Sequence, residues 1–428
     1  MNQVLIVCAI VILLFLFLKM PVFLALLAGT VAYFLANSTT SMQIIAQRAI
    51  SGMESTPLLA IPFFVCAGIF MNYSGVTKRI MDFCSVLTGR MWGGLAQVNV
   101  LLSTLMGGLS GSNIADAAME AKMLVPEMER KGFSKPFSTV VTATSAMITP
   151  LIPPGIGMIV YGSIAGVSIG KLFVAGIGPG VLLCIACMIL VRIISKKRGY
   201  KRLRENKISI KEKAAAAKPA FFPLLLPLII IGGIRIGIFT PTEAGSVAVV
   251  YALFLGLLYR EMKLKDIAEG LRETALTTAS IMLIVGAASA FAWVLTKEQI
   301  PQQLTNLMVG LIHNKYVFLM VVNLFLLLVG MFIEGNAALI VLVPLLHPIA
   351  LAYGINPIHF AMVFIFNITL GAVTPPMGML IFVTCGITGC EIRDYLKESI
   401  PFYAMLFICL MLLTFVPGFT TGLVNLIW

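Results

Sequence analysis

Two short stretches carry the residue types best suited to hold an ion beside an acid. The first is Gly107-Gly108-Leu109-Ser110-Gly111-Ser112-Asn113, followed by Thr149-Pro150-Leu151-Ile152-Pro153-Pro154-Gly155. The second is Gly330-Met331-Phe332-Ile333-Glu334-Gly335-Asn336, followed by Val373-Thr374-Pro375-Pro376-Met377-Gly378. A helix ending at such a turn leaves its last carbonyls free, here around Met106–Gly108 and Val329–Met331, and hard oxygen acceptors suit Na⁺. A helix starting there, near Asn113 and Asn336, offers free N–H groups and a positive dipole end that suit a carboxylate. Glycines let the backbone curl so that carbonyls converge. Pro150, Pro153, Pro154, Pro375 and Pro376 remove donors and break the facing helix. Ser110, Ser112, Thr149 and Thr374 add hydroxyl oxygens. Asp116 and Glu334 lie close to the turns, where a carboxyl group can tune a cation site, take a proton or cap a helix.

The surrounding elements are those of a membrane protein. Of 428 residues, 59% are hydrophobic and 11% charged, against roughly 25% charged in a soluble domain. The first apolar run lacks a basic leader and a small-residue cleavage site, so it reads as a first membrane helix. A net charge of +12 would suit nucleic acid, but the basic residues sit in loops where membrane topology explains them, and no nucleic-acid partner is expected. Cys184 and Cys187 have redox spacing without a second pair and read as packing residues; with three scattered histidines, no transition metal or other cofactor is expected, only Na⁺.

Taken in order, apolar runs cover 4–18, 22–36 and 57–72, with amphipathic arms at 41–56 and 76–89. Residues 92–127 read as a hairpin that enters and leaves on one side. Residues 135–168 read as a helix broken at Pro153-Pro154, and 172–195 as a closing span. After a basic linker at 196–218 the pattern restarts: runs at 220–239 and 242–260, an arm at 261–278, a run at 279–296, an arm at 298–312, a hairpin at 315–351, a broken helix at 357–389 and a run at 394–417. Pro153-Pro154 answers Pro375-Pro376 at an offset of 222, Lys171 answers Arg393 and Pro179 answers Pro401 at the same offset, and Asn113 answers Asn336 at 223. The chain therefore reads as a repeat, 1–195 and 219–428, of five spans plus one hairpin each. An odd number of spans inverts the second copy, as in many transporters. Arg235 reads as a snorkelling side chain and Glu243 as a first-turn helix acid.

These residues resemble the large membrane subunit of tripartite ATP-independent periplasmic (TRAP) transporters over essentially the whole chain, most specifically at Gly107–Asn113, Pro150–Gly157, Phe239–Ala244 and Gly371–Gly378. The sialic-acid branch is the most similar. The resemblance implies an all-α elevator-type transporter in the bacterial inner membrane, not an enzyme. A small four-helix membrane subunit and a periplasmic substrate-binding protein would be its partners, with no small domain fused to this chain, and Na⁺ would drive import of a small organic acid. Carried over by position, one Na⁺ site uses the first turn and the break near Pro153, the other the second turn and the break near Pro375. The cation candidates are then Gly108, Ser110, Ser112, Asn113, Thr149, Pro153, Gly155, Gly330, Glu334, Asn336, Thr374, Pro375 and Gly378. The substrate candidates are Ser112, Asn113, Pro154, Gly335, Asn336 and Pro376. A stand-alone ion-coupled dicarboxylate carrier or ion/proton antiporter of the same architecture is the alternative. A membrane enzyme would need a nucleophile or a His/Asp/Glu cluster at one face, and the sequence offers none.

With the linker on the cytoplasmic side, 25 of the 30 Lys and Arg fall there, and Arg48, Lys171, Arg235, Lys297 and Lys315 fall outside, as the positive-inside rule requires. Both termini are then periplasmic. A single cysteine placed in 196–218 of a cysteine-free variant should resist an impermeant maleimide added to intact spheroplasts and react after lysis; labelling before lysis would reverse the topology.

Overall fold

The computed structural model describes residues 3–18, 20–37, 40–205 and 209–428, and every regular element among them is helical. Lys19 and Lys207, both counted on the basic side, lie outside the described residues. The first half contains α1 (Gln3–Phe17), α2 (Val22–Ala36), α3 (Gln43–Met53), α4 (Ala60–Tyr73), α5 (Val76–Thr88), α6 (Gly94–Ser110), α7 (Asn113–Arg130), α8 (Lys135–Ser145), α9 (Ile156–Ala165) and α10 (Ile169–Lys197). The second contains α11 (Ile210–Ile236), α12 (Pro241–Leu258), α13 (Leu264–Lys297), α14 (Ile300–Leu311), α15 (Lys315–Gly330), α16 (Gly335–Ala352), α17 (Pro357–Gly371), α18 (Met379–Thr388), α19 (Ile392–Phe415) and α20 (Gly418–Ile427).

Among the described residues, seven helices are long and apolar enough to cross a membrane, or eight if the bent pair Lys135–Leu151 and Ile156–Ala165 is one span. That pair bends by 42°. α1 and α2, at 15 residues each, span only about 22 Å of a hydrocarbon core of roughly 30 Å. α16, expected as a hairpin limb, is itself long enough. The eight cysteines are free and buried.

Four expectations need correction. α6 does not stop at Met106: it runs through Gly107-Gly108 to Ser110, and the chain turns at Gly111, whose φ is +64°. The carbonyls freed at this end are those of the last turn, from Gly107 onward. The expected arm 261–278 and span 279–296 are one continuous helix of 34 residues. In the first half Pro57 interrupts the corresponding stretch; 222 residues on stands Ala279, which leaves the helix unbroken. The basic linker is only partly irregular, because α11 starts inside it behind a Ser209/Glu212 capping box. Finally, α20 follows the last expected run and packs on α10.

Packing sorts the helices into two groups. α4 packs on α12, while α13 packs on α2, α3 and α4. The hairpins and broken helices form the other group, with α10 among them, and they exchange partners between halves. α7 of the first half packs on α18 of the second, and α16 of the second on α9 of the first. Thr139 donates to Thr388 at 3.1 Å, and Tyr161 meets His347 Nδ1 at 2.9 Å. This exchange brings the two hairpin turns together.

The breaks close on glycine. A Cβ on Gly155 would lie 2.4 Å from the Pro150 carbonyl oxygen, and one on Gly378 would lie 2.7 Å from that of Ala372. Both Pro153-Pro154 and Pro375-Pro376 are cis. α15 and α17 meet backbone to backbone, since a Cβ on Gly371 would sit 2.4 Å from the Gly330 carbonyl carbon. Gly371→Ala should therefore force the two helices apart and cost about 1–3 kcal/mol, read as a lower melting temperature of the detergent-purified protein. Gly386→Ala, in an exposed turn of α18 with nothing within 4 Å, should be neutral or gain up to about 1 kcal/mol.

Candidate functional site

The two hairpin turns are capped in the same way by different residues. Ser112 Oγ accepts from the Ala115 amide at 3.4 Å and caps α7. Glu334 Oε2 accepts from the Ala337 amide at 3.0 Å and caps α16, and Asn336 Nδ2 donates to Oε1 at 3.0 Å. Ser112 and Glu334 are 222 residues apart. Each cap satisfies one orphan amide, and the first amides of each helix stay free to meet a ligand.

Those helix starts line a shared cavity of about 90 Å³. Ser112, Asn113, Gly330, Glu334, Gly335 and Asn336 face it, together with Pro150. A cleft of about 890 Å³ adjoins it, sharing Ser112, Glu334 and Asn336, and has α4 and α13 as its far wall. Six of the residues expected from the sequence therefore come together around one space.

A second cluster lies behind the first turn. The fully buried Asp116 Oδ2 accepts from Ser110 Oγ at 2.5 Å and from Thr149 Oγ1 at 2.9 Å. Its Oδ1 has no partner among the described residues. The end of α6 and the 3₁₀ turn before the first break (Ala146–Leu151) thus place two hydroxyls around the carboxylate at the start of α7. Gly108 is adjacent to the break, since a Cβ there would lie 3.2 Å from the Pro153 carbonyl oxygen. A Cβ on Gly111 would lie 2.9 Å from the Pro154 carbonyl oxygen.

The second half is built differently. Its turn meets the last turn of α17 at Ile368 and Gly371, before Pro375 is reached. Thr374, Pro375, Pro376 and Gly378 line neither cavity, and Thr374 Oγ1 donates to the Leu370 carbonyl at 2.7 Å. Gly155 likewise closes its break without lining a cavity. Glu243 forms a capping box with Thr240 at the start of α12, accepting from its amide at 2.7 Å. Arg235 Nε donates to the Ile427 carbonyl at 3.0 Å and ties α11 to α20.

Several buried polar residues were not singled out by the motifs. Glu120, one helical turn after Asp116, accepts from Ser103 Oγ at 2.7 Å. Asn99 donates to Thr142 Oγ1 at 2.6 Å and accepts from Ser145 Oγ at 3.2 Å. In the second half, Asn367 Nδ2 donates to both Asn323 oxygens at 3.0 Å, and Asn323 Nδ2 donates to Thr414 Oγ1 at 2.8 Å. Asn99 and Asn323 are 224 residues apart, and Ser145 and Asn367 are 222 apart. Following the repeat offset through the polar residues alone would have found both bridges.

Apolar spans around a small cavity at which two helix starts meet fit a polytopic membrane transporter. The fold is similar to that of a solved transporter from Alcanivorax borkumensis, with a TM-score of 0.59 at 14% identity over 88% of each chain. The family is more specific. The model of the DctM component of tripartite ATP-independent periplasmic transporters matches residues 8–419, and the chain belongs to that family. It is 41% identical over 406 residues to the sialic acid TRAP transporter large permease protein of Vibrio cholerae, covering 95% of each. It is 37% identical over 389 residues to the C4-dicarboxylate TRAP transporter large permease protein of Pseudomonas aeruginosa, covering 91% of each.

The buried amides are expected to hold hairpin to broken helix. Asn367→Ala strands the buried Asn323 Oδ1 and should cost about 1–3 kcal/mol. A melting temperature in detergent equal to that of the parent protein would remove this bridge from the account of stability.

Proposed function

We propose that this chain is the large permease subunit of an importer for an organic acid anion, with sialic acid as the substrate, driven by Na⁺ across the bacterial inner membrane. The observation that carries the reading is the meeting of two capped helix starts, at Ser112 and Glu334, across one cavity. Free amides at both starts suit the carboxylate of an acid. The 41% identity to a sialic acid permease supports the substrate. Membership of the TRAP family supports a periplasmic substrate-binding protein and a small four-helix membrane subunit as partners.

Na⁺ has two candidate places. One is the first turn with its break, where Ser110, Asp116 and Thr149 cluster. The other is the second turn, where Glu334 caps α16. Magnitudes favour two ions. One charge crossing 100 mV is worth ~2.3 kcal/mol and a tenfold gradient about 1.4 kcal/mol, so two Na⁺ supply roughly 7 kcal/mol. Bringing in a monoanion takes about 2.3 kcal/mol of that, which leaves about 5 kcal/mol for accumulation. One Na⁺ would leave only about a tenfold gradient.

The inverted repeat, with first copy 1–195, linker 196–218 and second copy 219–428, is part of the proposal. Matched contacts support it: Asn99 with Ser145 and Asn323 with Asn367, Gly107 beside Thr149 and Gly330 beside Gly371. In the elevator reading, α6–α9 and α15–α18 move as a unit against α2, α4, α12 and α13. The large cleft runs from the hairpin turns toward the C-terminal end of α4 and the N-terminal half of α13. Arg79, Arg260 and Lys263 flank those ends, so on the positive-inside rule the cleft opens to the cytoplasm and both termini are periplasmic.

Proteoliposomes containing the chain with its small subunit, supplied with the binding protein, should accumulate sialic acid only in a Na⁺ gradient and faster with an inside-negative potential. Asp116→Ala should lower uptake at least tenfold and raise the Na⁺ concentration needed. Equal uptake in Na⁺ and choline buffers would sink the coupling.

A further inference from the structure

The wall of the large cleft opposite the hairpins carries a polar stripe of its own. Glu273, Thr277 and Ser280 recur on α13 at i, i+4 and i+7, which places them on one face of the helix. All three line the 890 Å³ cleft, as does Asn72 near the end of α4. A carboxylate and two hydroxyls in a span are costly unless they face water or a polar ligand. Back-bonding accounts for part of the set: Ser280 Oγ donates to the Leu276 carbonyl at 2.9 Å. Glu273 Oε1 accepts from the Tyr73 hydroxyl at 2.9 Å, and Asn72 Oδ1 has no partner among the described residues.

The two walls differ in chemistry. Across the cleft, the starts of α7 and α16 present N–H donors, with the Glu334 carboxylate that caps α16 beside them. On the α13 side, the Glu273 carboxylate is the acceptor, with the Thr277 and Ser280 oxygens and the Asn72 side chain beside it. A ligand that spans the gap must carry an anionic acceptor at one end and hydrogen-bond donors at the other. The cleft volume is within the range of small-molecule sites.

We propose that Glu273, Thr277, Ser280 and Asn72 form the specificity-determining half of the substrate site. They select a hydroxylated or amide-bearing monocarboxylate and reject a dicarboxylate, and this inference rests on the organic-anion reading above. Hydroxyl and N–H groups of the ligand donate to Glu273, while its single carboxylate meets the helix starts. A second carboxylate in the same place faces Glu273. Two like charges about 4 Å apart in a partly solvated site weaken binding by roughly tenfold to a thousandfold.

The test is direct binding to the detergent-purified complex of this chain with its small subunit, in Na⁺, so that the binding protein's own selectivity does not enter. The probes are N-acetylneuraminate and succinate, titrated calorimetrically. The parent complex should bind N-acetylneuraminate at least about tenfold more tightly than succinate. Glu273→Gln should weaken N-acetylneuraminate and strengthen succinate by about tenfold, because it removes the repulsion and keeps the shape. Thr277→Val should weaken N-acetylneuraminate by roughly two- to tenfold and leave succinate unchanged; it carries the test alone if Glu273→Gln does not fold. A parent complex that binds both acids alike or prefers succinate, or variants that shift both acids equally or not at all, would overturn the proposal while leaving the organic-anion reading intact. Binding of neither acid would overturn the organic-anion reading and this proposal with it.

Discussion

A helix that ends inside protein leaves amides and carbonyls that must find partners, and the rest of this structure depends on how that demand is met. Four helix ends converge between the halves: the C-termini of α6 and α15 and the N-termini of α7 and α16. An unpaired backbone group in an apolar surrounding costs several kcal/mol. Ser112 and Glu334 satisfy one amide each. Further amides and carbonyls face the small cavity between the turns, where water or a ligand can complete them. The site is thus what remains of the helix-end demand after the protein has met part of it.

Holding those ends in place requires close approach more than bulk. Gly107 lies against Thr149, and Gly330 against Gly371, at distances that leave no room for a side chain. Around these contacts the two halves exchange limbs, α7 onto α18 and α9 onto α16. Each hairpin thus packs on the broken helix of the other half. Buried amides add direction to this packing: Asn99 and Asn323 each bridge a hairpin to a broken helix, and such bonds tolerate less sliding than apolar contact does.

The two turns and the two breaks were legible in the sequence, because Gly, Asn and Pro-Pro act locally. Helix extents were less legible. Gly107-Gly108 looks like a stop, yet the glycines are there for contact with Thr149 and the helix continues through them. The polar stretch before residue 279 looks like a separate arm, but without a proline nothing ends α13 there. Asp116 was visible as a buried acid; that it gathers Ser110 and Thr149 depends on the fold of the facing helix, which no local signal encodes. The polar face of α13 was hidden for a similar reason. Glu273, Thr277 and Ser280 gain meaning only when the hairpins are seen opposite them.

The unequal caps bear on how coupling would work under the proposed mechanism. Both halves place one carboxylate at a helix start, but by different routes. In α16 the acid is the cap itself, Glu334, and it faces the cavity. In α7 the cap is the neutral Ser112, and the acid, Asp116, is turned away into the protein among hydroxyls. A carboxylate at a helix N-terminus is stabilised by the dipole, yet its charge offsets the field that would attract an anionic ligand. Na⁺ beside each acid would restore that field. The anion would then meet two positive helix ends only when both cations are present, and two carboxylates when they are absent. Cation binding would thus be the electrostatic condition for substrate binding, because like charges in a partly desolvated site repel by several kcal/mol. Asp116 acts at longer range than Glu334, through the body of the first turn, so the two ions need not contribute equally.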